Sequence, residues 1–144
     1  MCGRTTEAWT GCGRRSSGKR VRWRTDDMAS PGINPGMKAE TQTLVCEHNV
    51  AGHVNKFSTP AMIQLMEQAS SAVVNDVLQE GEVSVGIEVN IRHLAAADIG
   101  ATIIAHAELI EVDRNRLTFQ VEAFNGDKKI GDGTHKRAII KTGG

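Results

Sequence analysis

Three polar residues in the middle of the chain, Thr59, Glu67 and His93, are of the types that acyl transfer to water requires. A carboxylate can act as nucleophile or base, an imidazole can carry protons, and a hydroxyl can orient either group. Each residue also has an ordinary role: a helix cap for Thr59, a solvated helix position for Glu67 and a half-buried strand position for His93. Their spacing, eight and then twenty-six positions, favours a shared hydrolytic site over chance.

The helix that would carry Thr59 and Glu67 has a recognisable beginning. Ser58 or Thr59 can cap it, and Pro60 falls in the first turn, where a missing N–H costs nothing. Apolar residues at helical spacing then predict one long buried stripe: Met62, Leu65, Met66, Ala69, Ala72, Val73 and Val77. We expect this helix to end near Gly81, because glycine commonly terminates helices.

The rest of the chain after residue 41 predicts β-structure. Alternating segments predict strands at 43–48, 83–94, 102–112, 116–124 and 129–141, with residues 48–57 irregular. Asn125-Gly126 is a strong two-residue hairpin signal. The order is typical of an α+β hot-dog fold, in which a five-stranded antiparallel sheet wraps around one long helix.

The predicted sheet has apolar residues on both faces, in segments 103–105 and 138–140. One helix cannot cover both faces of a five-stranded sheet, so the second face is either polar or meets another copy. The apolar residues on both faces of these two segments favour a homodimer.

The first 36 residues differ from the remainder in composition. They carry seven Lys and Arg against three acidic residues, about +4, in a chain whose net charge is zero. The segment is rich in Gly, Ser and Arg and has no apolar periodicity, which predicts a disordered leader separate from a domain at 37–144. We interpret it as an extension upstream of a natural start at Met28 or Met37. A transit peptide and a nucleic-acid-binding arm are less favoured alternatives, so we expect no nucleic-acid partner.

The sequence lacks the patterns of membrane-spanning, secreted, disulfide-bonded and metal-binding domains. No apolar run approaches the ~18 residues that a membrane span needs, and no segment resembles a signal peptide. Cys46 is the single cysteine after residue 36, so residues 37–144 cannot form a disulfide among themselves. The five histidines are scattered singly, which predicts no metal site. We expect a cytoplasmic location.

From Phe57 to Ile140 the chain resembles the fluoroacetyl-CoA thioesterase family of hot-dog hydrolases. The resemblance depends on Thr59, Glu67 and His93 at their spacings and on three further segments: Ala107–Leu109, Arg116-Leu117 and Ile130–Arg137. The resemblance implies hydrolysis of a short acyl-CoA thioester, with Thr59, Glu67 and His93 as the catalytic set. It also implies substrate contacts at Gly86 and Arg137, and no cofactor beyond the coenzyme A of the substrate. Glu67 would attack the thioester or activate water.

One departure from the family concerns the acyl group. The fluoroacetyl-specific enzyme has aromatic residues just upstream of its threonine, whereas residues 48–56 of this chain contain none. Acetyl-CoA, another short acyl-CoA or a carrier-linked thioester therefore remains open as the substrate. A non-catalytic module that binds acyl-CoA or a small ligand is the alternative from another class. A hot-dog hydratase is disfavoured, because no Asp/His pair stands at the start of the helix.

Overall fold

The computed structural model describes residues 21–23 and 32–142. Among these residues a single α-helix, α1 (Thr59–Val74), packs against a curved antiparallel sheet. The strands are β1 (Val21–Trp23), β2 (Lys38–Leu44), β3 (Val50–Ala51), β4 (Lys56–Phe57), β5 (Glu82–His93), β6 (Thr102–Asp113), β7 (Arg116–Asn125) and β8 (Lys128–Thr142). The architecture confirms the predicted hot-dog fold.

The five long strands follow the order β5-β8-β7-β6-β2. β6, β7 and β8 are joined by tight turns. The β7–β8 hairpin is found, but its two-residue turn is Gly126-Asp127, one position later than predicted, with Asn125 opposite Lys128 and Gly126 at a φ of 63°. β5 enters beside β8 and forms one edge of the sheet, while β2 forms the other. The helix therefore crosses the concave face, and its stripe of apolar side chains lies in the core with those of the strands.

Two boundaries differ from the prediction. The first long strand is Lys38–Leu44 and not 43–48. It stops there because the Asn49 side chain accepts from the Cys46 N–H and donates to the Leu44 carbonyl, which closes a turn. A short hairpin, β3–β4, lies in the segment expected to be irregular.

The helix also ends earlier than expected, at Val74 and not near Gly81. Residues Asn75–Val77 form a 3₁₀ turn instead, and Ser71 Oγ hydrogen-bonds to Asn75 Oδ1 at this point. Asparagine competes for backbone partners and the preceding valines are poor helix formers, so the last turn tightens. Gly81 then supplies a positive φ of 83° at the entry to β5.

A short stretch of the predicted leader joins the sheet. Val21–Trp23 pairs with the end of β8, where Arg22 lies opposite Lys141, and Ile33 is buried in the core. Residues 1–20 and 24–31 lie outside the described residues, and the division into a leader at 1–36 and a domain at 37–144 stays a prediction. In the region that the structure describes, no helix has the length and apolar character to cross a membrane.

Candidate active site

Thr59 and His93 meet at the beginning of the helix. Thr59 is the first residue of α1, and its Oγ1 lies 2.8 Å from Nδ1 of His93, the last residue of β5. The cap is Ser58, whose Oγ accepts from the Ala61 N–H, so the Thr59 hydroxyl is not used in capping. His93 Nε2 is buried and has no hydrogen-bond partner in the described structure. The pair predicted to act together is therefore in contact.

A cleft of about 490 Å³ opens beside this pair. The β3–β4 hairpin forms one wall, and Lys56 of this hairpin bonds to Asp98, which follows the wall at residues 93–96 in sequence. The residues that line the cleft include His53, Val54, Phe57, Thr59, His93 and Leu94. The hairpin thus has the position of a lid over Thr59 and His93.

Glu67 lies further along the helix, against the edge strand β5. Its carboxylate is 29% exposed, and a Cβ built on Gly86 would be only 3.1 Å from Glu67 Oε2. The same Cβ would be 3.0 Å from Cε1 of His135. Glycine at position 86 therefore leaves the space in which Glu67 and His135 approach β5.

A buried polar network on β8 and β5 completes the surroundings of Glu67. His135 and Arg137, two positions apart on β8, share one face and are each 1% exposed. Arg137 Nη1 lies 3.1 Å from His135 Nε2, and His135 Nδ1 lies 2.9 Å from the Glu88 carbonyl oxygen. Arg137 also donates to Ser84, from Nε to the hydroxyl at 3.0 Å and from Nη2 to the carbonyl at 2.9 Å.

The electrostatics of this region follow from burial. Burial raises the pKa of the Glu67 carboxyl, and the Arg137 charge partly opposes this increase. Burial also lowers the pKa of His135 to about 4, with the Glu88 carbonyl opposing and the Arg137 charge assisting. At neutral pH the site thus contains an ionised carboxylate in a partly desolvated place, a neutral imidazole and a buried guanidinium.

The predicted site residues therefore fall into two groups. Thr59 and His93 form one, whereas Glu67 and Gly86 form the other with Arg137 behind them. The rise of the helix separates the backbones of Thr59 and Glu67 by about 12 Å along its axis. Among the described residues no hydrogen bond connects the two groups.

Two members of this region, His135 and Ser84, are not among the site residues predicted from the sequence. The signal for His135 is its position two residues before Arg137 in a strand, which places both side chains on one face. Ser84 has no such signal, because its contact with Arg137 depends on the register between β5 and β8.

The family comparison decides what kind of protein carries this site. The family model described as fluoroacetyl-CoA-specific thioesterase, FlK, matches residues 39–143. The chain belongs to the FlK family. The match covers the five long strands apart from the first residue of β2, and it contains both groups of site residues.

Individual relatives agree with this assignment. This FlK family member is 40% identical over 84 residues to the fluoroacetyl-CoA thioesterase of Streptantibioticus cattleyicolor. Those 84 residues are 58% of this chain and 60% of that protein. An FlK variant solved in complex with acetyl-CoA is 31% identical, with a TM-score of 0.72 over 76% of this chain and 90% of that one. A thioesterase superfamily member from Thermus thermophilus is 27% identical, with a TM-score of 0.72 over 77% and 86%.

Proposed function

We propose that this FlK family member hydrolyses short acyl-CoA thioesters to the free acid and coenzyme A, with Thr59, Glu67 and His93 as its catalytic residues. The observation that carries the proposal is the half-buried Glu67 carboxylate, which packs against Gly86 of β5 and whose pKa is raised by burial. A carboxylate in a partly desolvated place is a stronger base and nucleophile than one in water. Its family relatives include a fluoroacetyl-CoA thioesterase.

Two routes are consistent with this arrangement. Glu67 can attack the thioester carbonyl, which releases the coenzyme A thiolate and leaves an acyl-glutamyl anhydride that water then hydrolyses. Alternatively, Glu67 takes a proton from water, and the resulting hydroxide adds to the carbonyl. In both routes the carbon–sulfur bond breaks and one proton from water ends on the thiol. We propose that His93 delivers that proton from Nε2, which is buried and has no partner in the described structure, and that the proton released from water restores it.

The remaining predicted residues have supporting roles in this proposal. A glycine at position 86 lets the thioester approach the β5 backbone, whose N–H groups can stabilise a developing oxyanion. Thr59 Oγ1, 2.8 Å from His93 Nδ1, holds the imidazole in one orientation. Arg137 is buried and donates to Ser84, so its positive charge acts on this region from behind Glu67.

The lid bears on the choice of acyl group. In this chain the lid presents His53 and Val54 to the cleft and leaves Phe57 as its aromatic residue. We therefore propose a short acyl group without strong selection for fluorine. We expect kcat/KM for acetyl-CoA and fluoroacetyl-CoA to differ by no more than about tenfold, since a small apolar pocket discriminates weakly between groups of similar size.

The test is release of thiol from a panel of acyl-CoAs with acyl chains of two to six carbons, fluoroacetyl-CoA included. Hydrolysis that is fastest for the shortest chains is the expected result, and the same panel measures the fluorine selectivity. Binding of acyl-CoA without any turnover would contradict the proposal and favour the non-catalytic alternative. Turnover of carrier-linked thioesters alone would keep the chemistry and change the substrate.

We further propose that the active protein is a homodimer with Glu67 at the interface. β5 pairs with β8 on one side, and its other edge has no strand beside it in the described sheet. Residues 86–90 are exposed on both faces, with Ile87 at 39% and Val89 at 43%. An open edge strand with aliphatic side chains is a natural site for pairing with a second copy.

The dimer proposal predicts the effect of a charge on this edge. We expect the wild type to have twice the mass of one 15.5 kDa chain in light scattering, and Val89→Lys to be largely monomeric and at least tenfold less active. Ile110→Lys is the matched control, because Ile110 is 44% exposed but lies on the interior strand β6. Equal dimerisation of both variants, or a monomeric wild type with full activity, would contradict the proposal.

A further inference from the structure

The imidazole of His135 contacts two groups of opposite charge through one nitrogen. Its Nε2 is 3.1 Å from Arg137 Nη1 and 3.9 Å from Glu67 Oε2. The second distance is too long for a hydrogen bond, so the ring touches the carboxylate without bonding to it. His135 Nε2 thus accepts an N–H of Arg137 that would otherwise be available to Glu67.

The hydrogen bonds of His135 determine its protonation. A guanidinium has donors and no acceptor, so Arg137 donates and His135 Nε2 must accept. The proton of the neutral ring therefore lies on Nδ1, which donates to the Glu88 carbonyl at 2.9 Å. The low pKa of about 4 agrees with a ring that is neutral at working pH. His135 cannot therefore act as a charged partner of Glu67.

Arg137 is held from its far side by β5. Ser84 accepts from Nε through its hydroxyl and from Nη2 through its carbonyl, and β5 and β8 pair at Gly86 opposite Arg137. The guanidinium is thereby fixed behind the ring. Gly86 has no side chain, so the imidazole of His135 and the carboxylate of Glu67 both approach the β5 backbone there.

We propose that His135 is a positioning residue that separates Glu67 from Arg137. A direct ion pair between the two would fix the carboxylate against β8 and weaken it as a base or nucleophile. With His135 in place, Glu67 remains free to turn towards a thioester. The catalytic benefit of this separation depends on the proposed function. The separation itself can be tested without substrate, through the pKa of Glu67.

The charges that act on Glu67 are few. From β8 the facing titratable groups are His135 and Arg137, and from β5 the nearest position is Gly86, which carries none. Among the described residues, Arg137 is the charged group that shifts the pKa of Glu67. A change in that pKa after substitution of His135 would therefore report a change in its distance from Arg137.

The experiment compares His135→Asn with His135→Gln. Asparagine can keep the bond to the Glu88 carbonyl but removes the portion of the ring between Glu67 and Arg137, whereas glutamine can reach the Nε2 position and accept from Arg137. Carboxyl ¹³C NMR follows the titration of Glu67, assigned by its loss in Glu67→Gln. We expect the midpoint in His135→Asn to fall by about one to three pH units. In His135→Gln it should stay near the wild-type value.

Kinetics give the second readout. In His135→Asn we expect the acidic limb of kcat/KM to move to lower pH, and kcat at pH 7.5 to fall about tenfold while KM changes by less than about twofold. His106→Asn is the matched control, because His106 is a half-exposed residue of β6 away from Glu67. If His135→Asn does not fold, Ser84→Ala removes one of the two Ser84 acceptors of Arg137, the hydroxyl, and should lower the same midpoint by a smaller amount.

The outcomes separate the two proposals. A folded His135→Asn and a folded Ser84→Ala that both keep the wild-type Glu67 midpoint would overturn the positioning role. A lowered midpoint in a protein that hydrolyses no thioester would support the geometry and overturn the proposed function. Loss of thermal stability with unchanged Glu67 titration would identify His135 as structural only.

Discussion

Glu67→Gln is expected to lower kcat for short acyl-CoA hydrolysis by about 10³-fold or more, with little change in KM. The substitution keeps the size of the side chain and its contacts with Gly86 but removes the group that attacks or deprotonates. The measurement is thiol release at saturating substrate. Glu80→Gln is the control, because Glu80 is an exposed carboxylate beyond the end of the helix. Activity that survives in Glu67→Gln would exclude this carboxylate from the chemistry.

The same variant carries a stability prediction with a definite sign. Burial raises the pKa of Glu67 in the folded state above its ordinary 4.5, so the folded protein binds this proton more tightly than the unfolded chain does. The stabilising contribution of the protonated form is complete below pH 4.5 and is lost as the pH rises through the folded-state pKa. At about pH 8 the ionised Glu67 therefore costs stability that glutamine does not. We expect Glu67→Gln to melt at a higher temperature than the wild type at about pH 8, with the difference vanishing near about pH 4.

Gly133→Ala is expected to destabilise the fold by about 3 kcal/mol. Gly133 has a φ of 153°, and a Cβ at this position would be 2.1 Å from the carbonyl oxygen of Asn90 in β5. The clash is with backbone, so a change of rotamer cannot relieve it and β5 must move away from β8. Because β5 is also the proposed dimer edge, we expect dimerisation and activity to fall together.

Urea denaturation with a two-state fit measures this loss. Gly52→Ala is the matched control, because a Cβ there meets nothing within 4 Å and its φ is not in the left-handed region. The control should change the free energy of unfolding by less than about 0.5 kcal/mol. Equal stability of Gly133→Ala and the wild type would show that the β5–β8 pairing adapts to a side chain at this position.

Local signals predicted the elements well. The helix begins at Thr59 with Ser58 as its cap and Pro60 in its first turn, and the β7–β8 hairpin turns at Gly126-Asp127, directly after Asn125. Capping and tight turns depend on residues close together in sequence, so the sequence contains the information for both. The early helix end at Val74 and the first strand at Lys38–Leu44 were missed, because each depends on which partner a polar side chain takes: Asn75 accepts from the Ser71 hydroxyl, and Asn49 donates to the Leu44 carbonyl.

For the candidate site, the sequence by itself determined which chemistry is available: the types and spacing of Thr59, Glu67 and His93 already indicated a hydrolytic site, and the catalytic assignment remains a prediction. Tertiary structure decided what surrounds Glu67. The pairing of β5 with β8 brings Gly86 and Ser84 beside Arg137 and places His135 against the carboxylate. These contacts join positions that are distant in sequence, 53 residues for Ser84 and Arg137 and more for Glu67 and His135, and a shift of register by one residue would turn each side chain to the other face. The burial that raises the pKa of Glu67 therefore depends on the assembled sheet and not on any local pattern.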